Sequence, residues 1–94
     1  MTRGCVNILL QLNSMGAKSP LLSMTQQELT VGWESEIDSR IPPRSTFHAD
    51  LRYLISQGYL SYGPSSGRSK AYYISAKGID YLVNLEVESD ERNN

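Results

Sequence analysis

The chain holds one cysteine, one histidine, one tryptophan and one phenylalanine in 94 residues. A single Cys5 cannot form an internal disulfide, so a reducing cytoplasm is the expected setting. Cys5 and His48 lie far apart in the chain and supply no nucleophile–base pair, and no Cys/His spacing suits zinc. No catalytic residue, metal or cofactor is therefore assigned, and the chain is read as a non-enzyme. Gly63 to Lys70 superficially suggests a phosphate loop, but its glycine spacing is short and Arg68 stands where a lysine is required. No apolar run approaches the roughly 20 residues of a membrane span. The run Ile8-Leu9-Leu10 behind Arg3 falls short of the about 7–15 apolar residues of a secretory signal. Internal repeats are absent, and the expectation is one domain over residues 4–87 with a modest core. Residues 88–94 are acidic and read as a frayed tail.

Acid is scarce in one place. From Arg40 to Lys77 the cations Arg40, Arg44, Arg52, Arg68, Lys70 and Lys77 meet only Asp50, a balance of +5. The rest of the chain sets Arg3, Lys18 and Arg92 against nine acids, a balance of −6. The overall charge of −1 therefore hides a polarised molecule.

What is present reads as alternating short elements. In residues 4–15, Val6, Leu9 and Leu10 keep helical spacing, while Ile8 and Leu12 fall off that stripe. A helix apolar around so much of its circumference is expected to bury one side against a partner subunit. Cys5 is read as a small apolar residue of this helix rather than a redox switch. Leu21-Leu22-Ser23 suits a short strand, and Thr25-Gln26-Gln27-Glu28 is a capping box that starts a second helix ending near Gly32 or Trp33. Trp33 is read as an anchor for the segment that follows, with Ile37 a further candidate, and Ile41-Pro42-Pro43 as extended backbone. Phe47, Leu51, Leu54 and Ile55 then form a clean apolar stripe, with Ser45, Ala49, Arg52 and Ser56 opposite and Gly58 closing the helix. Two Tyr-rich strands, 59–62 and 71–74, flank a Gly/Ser/Pro turn, and their tyrosines are read as sheet packing rather than platforms for single-stranded bases. Ser75 is placed to cap a last helix with Ile79, Leu82 and Val83 inward.

That order fits a recognition helix followed by a β-hairpin wing. The residues Arg44-Ser45-Thr46-Phe47, Leu51-Arg52-Tyr53-Leu54, Gly58-Tyr59-Leu60, Gly67 to Ser75 and Lys77-Gly78 carry a resemblance to the winged helix-turn-helix. The pattern resembles the PadR and MarR groups of prokaryotic regulators, and is also similar to small winged-helix proteins that bind plasmid centromeres during partition. It covers residues 25 to about 85. The segment from Trp33 to Pro42 is longer than the usual turn between the two helices of the motif. The fold class implied is α+β, mostly helical: a three-helix core, a β-hairpin wing and a C-terminal helix.

The resemblance implies double-stranded DNA as partner. Arg44, Ser45 and Thr46 would meet the major groove or its flanking phosphates, since a cation at a helix start is unfavourable unless an anion is there. Arg52 would reach a guanine edge or a phosphate, with His48 and Ala49 beside it. Arg68, Ser69 and Lys70 would lie at the minor groove. The first role expected is a transcriptional regulator on the nucleoid, the alternative a partition protein. A third reading is a protein-binding winged helix, acting through the acidic Glu34-Ser35-Glu36-Ile37-Asp38. A homodimer is expected through the first and last helices, with Ile8, Leu12, Leu82 and Leu85 at the interface.

Overall fold

Thr2 opens the first helix, its hydroxyl accepting the Cys5 amide at 3.2 Å. A computed structural model describes residues 1–36, 42–64 and 69–92, with the side chains of all but 34–36 and 86–92. Ile37, Arg40, Ser65, Ser66, Gly67 and Arg68 lie outside the described residues. Helix α1 spans Arg3–Ser14 and buries Cys5, Ile8, Leu9 and Leu12 completely, an i, i+3, i+4, i+7 stripe. Leu10 stays 45% exposed. The inner face thus keeps Leu9 but is rotated away from Val6 and Leu10 toward Cys5, Ile8 and Leu12. Ile8 and Leu12 are corrected accordingly: they form the centre of the protomer's own core and have no surface to offer a second subunit. Leu82, also expected at that interface, is 6% exposed and belongs to the same core, whereas Leu85 remains 36% exposed. Cys5 is core as well, and burial is the main cause that pushes its thiol up.

After α1 the chain does not form the expected strand at Leu21. Pro20–Leu22 is instead a single 3-10 turn, with Pro20 supplying its fixed φ at the first position and both leucines exposed. The strand β1 is Met24–Thr25. Helix α2, Gln26–Glu36, starts on the capping box: the Thr25 amide donates to Glu28 Oε1 at 3.1 Å, and the Glu28 amide donates to Thr25 Oγ1 at 3.2 Å. It runs past Gly32 and Trp33 to Glu36. Leu29 and Trp33 point inward one turn apart, and Trp33 meets Phe47 edge-on at 5.5 Å and 60°. That contact joins α2 to α3, Arg44–Ser56, whose Phe47, Leu51 and Leu54 are buried as the apolar stripe requires.

Gly58 leaves α3 at φ +81°, a left-handed turn that favours glycine, and the chain enters β2, Leu60–Gly63. Strand β3 is Ala71–Ile74, and α4 runs Ala76–Arg92, so the helix takes in most of the segment read as a tail. The sheet order is β1-β3-β2, all antiparallel, with Leu60 opposite Ile74, Tyr62 opposite Tyr72 and Thr25 opposite Ala71. On α4, Ile79, Leu82 and Tyr81 pack inward while Val83 is exposed.

The start of α4 clamps the end of α3. Ser75 Oγ donates to the Gly58 carbonyl at 2.6 Å and accepts the Gly78 amide at 3.2 Å. Lys77 Nζ donates to the Gln57 carbonyl at 2.6 Å and lies 4.7 Å from the Tyr59 ring centroid. A side chain at Gly78 would run into the Tyr59 carbonyl and Ile74.

Two outcomes follow for stability. Gly78→Ala should lower it by about 1–3 kcal/mol through overpacking against backbone, measured by chemical denaturation. Leu12→Asp should abolish folding, because it buries an unpaired charge, while Leu85→Asp should cost far less. Equal melting of the two variants would contradict the assignment of Leu12 to the protomer's core.

Candidate nucleic-acid interface

Because the stripe of α3 locks one side against the core, its other side is fixed in solvent. Arg44, Ser45, Thr46, His48, Ala49 and Arg52 are all exposed, as the sequence spacing predicts. The N-terminus of this helix is unusual in having no side-chain cap and no acid in its first turn, and Pro43 precedes it. Among the described residues no acid offsets Arg44 at the positive end of the helix dipole, an arrangement that favours an anion.

Three elements meet beside that helix start. Thr25 at the end of β1, Gln26, Gln27 and Thr30 from the first turns of α2, Arg44 and His48 from α3, and Ser69 and Lys70 before β3 line an open cleft of about 660 Å³. Phe47 and Tyr72 also line it, and both are buried in the core. The pairing of Thr25 with Ala71 is what brings the start of α2 to the foot of the wing. Gln26, Gln27 and Thr30 were not singled out by the sequence. The capping box announces where α2 begins, but no local signal announces the β1–β3 pairing that turns this end toward α3.

The cations counted in the sequence are not equivalent. Lys77 sits at the opposite end of α3, donating to a carbonyl of its last turn, where a cation complements the helix dipole. It belongs to the joint between α3 and α4 and not to the cleft. Lys70 does line the cleft, with Nζ 5.1 Å from the Tyr62 ring centroid. Tyr62 leans on Tyr72 at 5.5 Å, and burial, followed by the neighbouring Tyr62, pushes the Tyr72 phenol up. Arg52 projects from the exposed face of α3. Arg68 lies outside the described residues. Among the described residues no group of three or more His, Cys, Asp or Glu is placed to hold a metal ion. No helix in this set is long and apolar enough to cross a membrane.

No protein-family model and no curated protein matches the sequence. Among solved structures the chain is similar to TubR from Bacillus megaterium pBM400, with a TM-score of 0.67 at 18% identity over 85% of this chain and 80% of that one. A likeness at this identity concerns the fold. Among the described residues, four α-helices and a small antiparallel sheet in this order, matching TubR over most of both chains, give the protein a winged-helix fold.

Proposed function

We propose that the protein binds double-stranded DNA as a winged helix. Helix α3 enters the major groove N-terminus first, and the hairpin of β2 and β3 lies along the neighbouring minor groove. The observation that carries this reading is the cleft where the uncapped start of α3, with Arg44 and His48, faces Lys70. A phosphate of the strand passing between recognition helix and wing has the charge and size for that place. Ser45 and Ala49 are small enough to let α3 approach base edges closely, and Arg52 has the planar fork that reads guanine.

One recognition helix covers too little surface for high specific affinity, so the proposal includes a homodimer reading two half-sites. With Ile8, Leu12 and Leu82 in the core, the exposed apolar side chains on the same two helices, Leu10 of α1 with Val83 and Leu85 of α4, support docking of a second copy there. Of the roles the sequence pattern resembles, promoter regulation and plasmid partition, the fold match to TubR from pBM400 favours partition.

Selection of bound fragments from the host's own DNA, plasmids included, at about 150 mM salt tests the reading directly. Enriched sites in a tandem array are expected for partition, and a lone inverted repeat at a promoter for regulation. An absence of enrichment would transfer the case to a protein-binding winged helix. On the best site, Arg52→Ala should cost about 1–3 kcal/mol and relax base preference. Lys70→Ala should weaken all duplexes and lower the salt slope by about one counterion, whereas Lys77→Ala should leave the slope unchanged. A loss of slope at Lys77 equal to that at Lys70 would refute the proposed docking face.

A further inference from the structure

Lysine at the foot of a wing has a flexible four-carbon stem and no direction of its own. Lys70 nevertheless has a definite position, with its ammonium 5.1 Å from the centre of the Tyr62 ring. Tyr62 is on β2 directly opposite Tyr72, and their rings meet at 5.5 Å with 42° between planes. Tyr72 is 3% exposed and is paired on its other side with Met24 of β1, so it is held from both edges of the sheet. Tyr72 and Lys70 both line the cleft. Support therefore passes from the sheet to Tyr72, from Tyr72 to Tyr62, and from Tyr62 to the charge. Tyr62 itself is 47% exposed, so core packing alone does not account for a large aromatic there.

We propose that Tyr62 is a positioning residue, holding the Lys70 ammonium over the cleft so that a DNA backbone phosphate meets a cation already in place. This rests on the DNA reading above. The face of the ring, not the hydroxyl, performs the task, because the quadrupole of an aromatic face attracts a cation. The rival roles for an exposed tyrosine are a hydroxyl contact to DNA or plain sheet packing, and each gives a different pattern of variants.

The pairing is read first without DNA, from the Lys70 ε-methylene protons by NMR of the full chain. They should be shifted upfield by the Tyr62 ring, keep that shift in Tyr62→Phe and lose it in Tyr62→Leu. Tyr62→Thr, a strand-favouring residue without a ring, repeats the loss should the leucine variant not fold. Duplex affinity is then measured for the same variants, for Lys70→Ala and for the Tyr62→Leu/Lys70→Ala double variant. Tyr62→Phe should bind as the wild type does. Tyr62→Leu should bind about two- to fivefold more weakly, and the double variant no more weakly than Lys70→Ala. An unshifted Lys70 resonance, losses that multiply in the double variant, or Tyr62→Phe binding as poorly as Tyr62→Leu would each overturn this role while leaving DNA binding intact. A wild type that binds no duplex overturns the DNA reading, and the role with it.

Discussion

The pairing of two residues, Met24 and Thr25, with β3 is the constraint on which the site depends. Thr25 lies opposite Ala71 through its backbone while its side chain joins Glu28 in capping α2. One residue therefore ties the start of a helix to the foot of the wing. Without that tie the glutamines of α2 and the lysine before β3 would have no reason to share a cleft with Arg44. The same short strand holds Tyr72 from its second edge, so that a buried ring lines the cleft. A hydrogen bond from the Ile74 amide to the Ala17 carbonyl, at 2.8 Å, adds the end of α1 to the same sheet.

Helix α3 is positioned from both ends by different means. Near its start Phe47 meets Trp33, an edge-on aromatic contact that fixes α3 against α2. At its end Gly58, Ser75 and Lys77 satisfy or redirect the last turn, which leaves the exposed face of α3 presented by a rigid frame. Charge is distributed in accord with this frame. Lys77 complements the carbonyl end, and Arg44 and Lys70 gather at the amide end, where an anion is favoured.

The likeness to TubR at 18% identity illustrates what the fold requires. Winged helices need a stripe of apolar residues on each helix, a reversal after the recognition helix and a hairpin, and many sequences meet those terms. Identity is not needed for that, which is why the likeness speaks to architecture and not to what the exposed side chains contact.

Features set by neighbouring residues were legible in advance. The capping box at Thr25, the stripe from Phe47 to Ile55 and the glycine after α3 all rest on hydrogen bonds or periodicity within a few positions, whereas the burial of the two Tyr-rich strands does not follow the alternation of their residues. The exposure of Arg44, Ser45, Thr46, His48, Ala49 and Arg52 followed from that stripe. The inner face of α1 did not, since a stripe through Cys5 and Ile8 competes with one through Val6 and Leu10, and only the packing of α2, α3 and α4 selects between them. Neither did the cleft, or the separation of Lys77 from Lys70, because both depend on which distant segments pair. By itself the sequence determined the elements, their caps and the polarity of charge, as these are local properties of the chain. The tertiary structure decided which faces meet and which cations converge, because burial and cross-strand pairing join residues that no spacing along the chain relates.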